Sequence, residues 1–293
     1  MSNNYPVLSL SQKQMDQLSK VRVFAIDLDG TLLTSEKIVS EPTKRAIKRA
    51  RQYGIQIVLC TGRALQGVAA LLKELDLEQP GDIVITYNGG LIQATDTGKV
   101  LSHSPMTYGE LKQIIELAKD IQLPLVALDP NEGYQFDTAP GKQSLYPSLM
   151  PIFNYPTRQL SDFDETHLFS KALLCYNVEE LDEAIKQIDA KIYEQFNLFK
   201  SRPVLLEVMP KGVDKGVAIS SLARVTNRQL NEIAAIGDEA NDLPMIKIAG
   251  VPIAMGNAIP ELKRMSQIET FSNDQHGVAA VLNTLLDILE ENI

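Results

Sequence analysis

One unit recurs along this chain and restricts it more than any other feature. It is a short, almost wholly apolar run, then a polar or glycine-bearing turn, then a helical pattern with one apolar side. Residues 21–26, Val-Arg-Val-Phe-Ala-Ile, are β-branched and apolar with almost no polar alternation, which predicts a strand buried on both faces of a parallel sheet. Asp27-Leu28-Asp29-Gly30-Thr31 interrupts that run. Ser40 can then N-cap a helix with Pro42 in its first turn, Ala46, Ile47 and Ala50 on one side, and Gly54 as its stop. Residues 55–60 form a second strand that ends in Thr61-Gly62-Arg63, and residues 65–75 a second helix. Ile83–Thr86 supplies a third strand, ending in Tyr87-Asn88-Gly89-Gly90. Three such units in succession predict an open, right-handed, parallel α/β sheet that binds its ligand at the carboxyl ends of the strands.

The texture changes near Leu91. From there to about Pro203 the chain carries more aromatic residues, a helix over 108–121, strands over 125–129 and 169–176, and an irregular middle punctuated by Pro140, Gly141, Pro147 and Pro151. A further strand, 205–209, lies near the exit. The parallel pattern then resumes with a helix over 215–225, a strand over 233–236, the polar run Gly237-Asp238-Glu239-Ala240-Asn241-Asp242, a strand over 251–254 and a closing helix from Gly277. The expected organisation is a leader over 1–20, a core formed by 21–90 together with 204–293, and an inserted α+β module over 91–203. A length of 293 residues suits two domains.

Composition excludes several functions. With 28 Lys+Arg against 37 Asp+Glu the net charge is −9, which argues against a nucleic-acid partner but leaves an anionic small molecule open. Cys60 and Cys175 cannot build a disulfide framework, and His103, His167 and His276 lie too far apart for a histidine metal site. No apolar run reaches membrane-spanning length, and residues 1–20 lack the basic start and apolar block of a signal peptide, so a cytoplasmic protein without a membrane partner is expected. Leu8, Leu10, Met15 and Leu18 fit a frayed leader and a surface helix equally well. Oligomeric state has no signature in the pattern.

Asp27 and Asp29, two residues apart just past a buried strand, emerge together at the sheet's carboxyl edge. The full run Asp27-Leu28-Asp29-Gly30-Thr31-Leu32-Leu33 resembles the nucleophile motif of the haloacid dehalogenase (HAD) superfamily. That family has three further elements in order, each matched here. They are a Ser/Thr after the next strand (Thr61), a lysine opening a later helix (Lys215, after Met209-Pro210-Lys211-Gly212-Val213-Asp214), and an acidic cluster after another strand (Gly237-Asp238-Glu239-Ala240-Asn241-Asp242). Singly, Thr61 reads as a helix cap, Lys215 as a surface lysine and Asp238 as a turn residue. In order and in the expected structural contexts, the four elements outweigh those readings.

The resemblance implies a Mg²⁺-dependent phosphatase. Asp27 would be the nucleophile that forms an aspartyl-phosphate, and Asp29 the acid and then the base. Mg²⁺ would be held by Asp27, the Asp29 backbone carbonyl and Asp238, with Asp242 in support. The phosphoryl group would be held by Thr61, Lys215, Asn241 and the N–H groups of Leu28 and Gly62. One lysine against four carboxylates leaves the group negative beside a dianionic phosphate, which a divalent cation would offset. Arg63 would reach the substrate or pair on the surface.

The position of the insertion, together with Tyr87-Asn88-Gly89-Gly90, Glu207-Val208-Met209-Pro210-Lys211-Gly212 and Gly256-Asn257-Ala258-Ile259-Pro260, is similar to the Cof-type branch and its sugar phosphatases. This implies a Rossmannoid core with a C2B-type cap that selects a small phosphorylated metabolite, a sugar phosphate being the expected class. The leader before Val21 departs from that pattern. Tyr134, Phe136, Asp137, Lys142 and Tyr146 fall in the cap's polar-aromatic middle and receive no role. Two other readings share the motif set: a phosphotransferase or mutase acting on sugar phosphates, and a non-catalytic HAD-like binding module.

Overall fold

The computed structural model describes residues 8–291. In chain order the strands are β1 (Val23–Asp27), β2 (Gln56–Cys60), β3 (Ile83–Thr86), β4 (Leu91–Ala94), β5 (Val100–His103), β6 (Leu125–Leu128) and β7 (Gly133–Phe136). There follow β8 (Thr157–Arg158), β9 (Lys171–Cys175), β10 (Phe196–Arg202), β11 (Leu205–Pro210), β12 (Ile233–Gly237), β13 (Val251–Ala254) and β14 (Ile268–Glu269). The chain divides into two compact units: one runs to Ser102 and resumes at Asp214, and the other is His103–Val213.

The first unit is built on an eight-stranded sheet in the order β14-β13-β12-β1-β2-β3-β4-β5. From β14 through β3 every neighbouring pair is parallel, and every residue of β1 is buried, the apolar run Val23-Phe24-Ala25-Ile26 as its pattern requires and the terminal Asp27 with it. The helix Glu41–Gln52 starts where Ser40 accepts a hydrogen bond from the Thr43 N–H at 3.4 Å, and its Ala46, Ile47 and Ala50 face the core. Residues 65–75 form two pieces, a 3₁₀ turn Leu65–Gly67 and a helix Ala69–Glu74, because Val68 between them is not helical (φ −126°). β4 runs antiparallel to β3, with Leu91 and Ile92 buried against the same sheet. The sheet therefore continues past the expected boundary at residue 90. At the other end Leu205–Pro210 pairs with β9 and β10, so the second unit also finishes later than residue 203.

The leader carries a helix, Gln12–Leu18, closed by a reciprocal capping box between Ser11 and Gln14. Leu18 is fully buried, Leu8, Leu10 and Met15 pack on the core, and the Gln14 amide donates to the Gln267 carbonyl at 2.5 Å. Of the two readings of this segment, the surface helix holds over Gln12–Leu18, with its Leu18 side turned into the core; residues 1–7 lie outside the described residues.

The second unit has a six-stranded sheet, β10-β11-β9-β6-β7-β8, antiparallel except for β7 with β8. Strand alternation sends Leu125, Ala127, Ala172, Leu174, Leu206 and Val208 into one apolar cluster with residues of the helices Tyr108–Asp120 and Val178–Ile185. Out of phase with them, Lys171 and Glu207 form a buried ion pair of 2.8 Å. Tyr134 and Phe136 are interior residues packed on Phe163, and Tyr134 donates to Asp129 at 2.9 Å. Tyr146 is buried, Lys142 pairs with Glu180 at 2.5 Å, and Asp137 is exposed. His167 lies 3.1 Å from Asp129, as a satisfied polar residue would. Among the described residues no helix is long and apolar enough to cross a membrane.

Candidate active site

The strand order places β12, β1 and β2 side by side, in a register that pairs Ile26 with Ile236 and Asp27 with Cys60. Their carboxyl ends therefore bring together Asp27 at the end of β1, Thr61 just beyond β2 and Asp238 just beyond β12. Two turns complete the setting. In the first, Gly30 adopts φ +87°, and a Cβ there would fall 2.2 Å from an Asp238 carboxylate oxygen, so only glycine lets the loop pass so close. The second is the turn Tyr87–Gly89, where the Asn88 N–H donates to the Thr61 carbonyl at 2.9 Å. Gly89, at φ +99°, lies where a Cβ would meet the Asp214 carbonyl at 2.2 Å. Asp214 in turn caps the helix Lys215–Val225, accepting from the Gly216 and Val217 N–H groups at 2.8 and 2.9 Å. The Thr61 turn and the start of the lysine helix are thus held against each other.

Lys215 is almost completely enclosed, at 1 % exposure. Its Nζ donates to Asp27 Oδ1 and, at 2.6 Å, to Asp242 Oδ1. Burial opposes its charge, but the Asp242 and Asp27 carboxylates outweigh burial and hold the amine protonated, well above the usual lysine range. Asp242 Oδ2 accepts the backbone N–H groups of Asp238 and Glu239 at 3.0 and 3.1 Å. Asp238 Oδ1 accepts the Thr31 hydroxyl at 2.7 Å.

These interior carboxylates are under-compensated. Burial pushes the Asp27 carboxyl up to about 7 against the pull of Lys215, with Asp242 and Asp238 adding to the rise. Asp238 is pushed up to about 6, by burial first and then by Asp242 and Glu239. Asp29 differs. It is half exposed, and Arg63 Nη2 contacts both its oxygens at 3.0 and 2.9 Å while Lys37 Nζ lies at 3.0 Å. Burial works against its ionisation, yet Lys37 and Arg63 prevail and hold the carboxyl below the usual range. Of the two expectations for Arg63, the structure shows a pairing, and the partner is Asp29.

Asp27, Asp238 and Asp242 each bring an oxygen within 4.8 Å of the others. An all-oxygen, net-negative group of this kind fits a hard divalent cation. Within it Asp242 already serves Lys215 and two backbone N–H groups, so the oxygens left for a cation are on Asp27 and Asp238. Thr61 is buried, its Oγ1 accepting the Arg63 N–H at 3.2 Å. Leu28 is buried directly after Asp27, Gly62 follows Thr61, and Asn241 is exposed in the turn that carries Asp242.

Lys37 and Asn257 were not among the site residues expected from sequence. Lys37 sits in an exposed turn with φ +61°, and a lone lysine in a polar loop gives no signal. Asn257 belongs to the Gly256-Asn257-Ala258-Ile259-Pro260 run, whose position past a strand end was the available hint.

The sheet order, the inserted unit and this group of residues define a HAD-like hydrolase. The chain belongs to the haloacid dehalogenase-like hydrolase family, whose model matches residues 24–282. It is accordingly an enzyme of the phosphatase class. It is 35% identical to 5-amino-6-(5-phospho-D-ribitylamino)uracil phosphatase YwtE of Bacillus subtilis (strain 168), over 91% of this chain and 98% of that protein. Among solved structures it is similar to TM0651 from Thermotoga maritima, with 31% identity, TM-score 0.77, and 90% and 97% of the two chains covered. A haloacid dehalogenase-like hydrolase from Bacteroides thetaiotaomicron gives 29% identity and TM-score 0.76, with 90% and 98% covered.

Proposed function

We propose that this protein hydrolyses small phosphorylated metabolites, with sugar or polyol phosphates as the substrate class, in a Mg²⁺-dependent reaction through an aspartyl-phosphate on Asp27. The observation that carries the reading is the enclosed Lys215 bonded to Asp27 and Asp242, with Asp238 alongside and negative charge left over. Mg²⁺ would be held by Asp27, Asp238 and the Asp29 backbone carbonyl, with Asp242 in support. When bound, it supplies positive charge against the phosphoryl oxygens.

The chain's own groups do the rest. An Asp27 oxygen attacks phosphorus, the bond from phosphorus to the ester oxygen breaks, and Asp29 gives the leaving alkoxide its proton. Asp29 then takes a proton from water as the water oxygen attacks the same phosphorus. The bond to Asp27 breaks, inorganic phosphate departs and the Asp27 carboxylate is restored. Thr61, the Leu28 and Gly62 N–H groups, Asn241 and Lys215 hold the phosphoryl oxygens. Because the clamp of Lys37 and Arg63 favours ionised Asp29, the acid step requires Asp29 to leave that clamp.

The polyol preference has support in the relative YwtE, whose name gives a phosphorylated ribityl compound as its substrate. The choice of metabolite is assigned to the inserted unit, following the family resemblance. Turnover of p-nitrophenyl phosphate with Mg²⁺, lost with EDTA and restored by added Mg²⁺, tests the reaction; metal-independent turnover contradicts it. A panel of sugar and polyol phosphates that includes 5-amino-6-(5-phospho-D-ribitylamino)uracil, ranked by kcat/KM, tests the class. Preference for a phosphorylated protein or nucleotide over all of them contradicts it.

A further inference from the structure

We infer that Asn257 is a positioning residue for the cation site, fixing the Asp238 carboxylate and the nucleophile loop in one relation to each other; the inference rests on the Mg²⁺ reading above. Asn257 lies just past β13, and its Nδ2 donates to the Gly30 carbonyl at 2.9 Å and faces Asp238 Oδ2 at 3.4 Å. Its own Oδ1 accepts the Asn273 N–H at 3.0 Å. One amide therefore touches three separate chain segments: the loop after β1, the turn after β12 and the loop preceding the closing helix Gly277–Glu291.

Asn257 is itself anchored. The Ile259 N–H donates to the Asp238 carbonyl at 2.9 Å and the Gly256 N–H to the Phe271 carbonyl at 3.0 Å, so the turn bearing the amide cannot drift from the turn bearing the carboxylate. With Thr31 on Oδ1 and Asn257 facing Oδ2, both oxygens of Asp238 are oriented by donors that are not themselves cation ligands. Asn257 is solvent-exposed, so packing is not what it contributes.

A second clamp between the same outer segments provides a control. Asp274 accepts the Ser35 N–H at 2.8 Å and the Ser35 hydroxyl at 2.6 Å, and Asn273 Nδ2 donates to the Leu33 carbonyl at 2.9 Å. Asp274 ties the loops together without touching Gly30 or Asp238. If Asn257 merely tied loops, removing either clamp would have the same effect.

The test is calorimetric titration of the whole protein with MgCl₂, comparing wild type with Asn257→Ala and Asp274→Ala, alongside the Mg²⁺ dependence of kcat and KM. Asn257→Ala is expected to weaken Mg²⁺ binding by about 10- to 100-fold and to regain most of its kcat at saturating Mg²⁺, with Asp274→Ala staying below that range. Asn257→Ser, which keeps a shorter donor, should fall between wild type and alanine, and it carries the test if the alanine variant does not fold. Wild-type Mg²⁺ affinity in Asn257→Ala, or an equal loss in Asp274→Ala, overturns the positioning role. A wild-type protein that binds no Mg²⁺ instead overturns the metal reading and this inference with it.

Discussion

Lys171 and Lys215 are both buried and both paired with carboxylates, one in each unit, yet the charge around them is balanced differently. Lys171 meets Glu207 at 2.8 Å across two antiparallel strands, and the ion pair sums to zero. Lys215 opens a helix beside the carboxyl ends of interior parallel strands, where Asp27, Asp242 and Asp238 gather, and one ammonium cannot neutralise three carboxylates. A balanced buried pair is commonly replaceable by apolar side chains, because desolvation cancels most of its attraction. An unbalanced cluster has no such apolar equivalent. Burial first, and the neighbouring carboxylates after it, raise the Asp27 and Asp238 carboxyls, and a site that is to receive a cation and a phosphoryl group gives such a cluster its use.

The largest expected contrast is catalytic. Asp27→Asn should reduce hydrolysis of p-nitrophenyl phosphate to background, and unchanged turnover would break the distinction between the two lysine sites at its root. The next contrast is energetic. Lys215→Met and Lys171→Met should each lower unfolding free energy by about 3–5 kcal/mol, since each strands buried carboxylate charge. Removing both partners separates them. Lys171→Met with Glu207→Leu should return to wild-type stability or exceed it by about 1–4 kcal/mol. Lys215→Met with Asp242→Leu should not recover, because Asp27 stays buried and unpaired and the Asp238 and Glu239 N–H groups lose their acceptor. Urea unfolding distinguishes these outcomes, and equal recovery of the two double variants would contradict the charge argument.

A smaller effect follows from ligand linkage. Mg²⁺ at 100 times its dissociation constant should stabilise the wild type by about 2.7 kcal/mol. That gain should persist in the Lys171/Glu207 double variant and shrink in Asp238→Asn, as read from thermal unfolding with and without Mg²⁺. The smallest effect lies far from both lysines. Ser11→Ala breaks the capping box of the leader helix and should cost about 1 kcal/mol with no change in kcat/KM.

Much of the core was legible because parallel strands announce themselves as apolar runs with polar ends. The strand Val251–Ala254, the helix Lys215–Val225 and the start of the closing helix at Gly277 coincide with their sequence patterns. β4 was harder to place, since Leu91-Ile92-Gln93-Ala94 says nothing about which sheet receives it; antiparallel pairing with β3 decides that. β10 escaped notice because only Phe196 of its residues is buried and Asn197, Lys200 and Arg202 obscure the alternation. The leader helix was ambiguous until Leu18 found a buried place in the core. At the site, adjacency of Asp27, Lys215 and Asp242 follows from strand order, which motif spacing anticipates. The clamp of Lys37 and Arg63 on Asp29, and the reach of Asn257 to Gly30, depend on loop conformations that no linear pattern encodes.

If the over-acidic lysine cluster is a phosphoryl-transfer site with Asp27 as its nucleophile, Asp27 carries the phosphoryl group between the two displacements. Rapid acid quenching of the enzyme during turnover of acetyl phosphate with Mg²⁺, followed by peptide mass mapping, captures that intermediate. The expected result is a phosphoryl group on the Asp27 carboxylate, absent from Asp27→Asn. A phosphoryl group on any other residue, or an Asp27→Asn enzyme that still turns over at the wild-type rate, would contradict that role for Asp27.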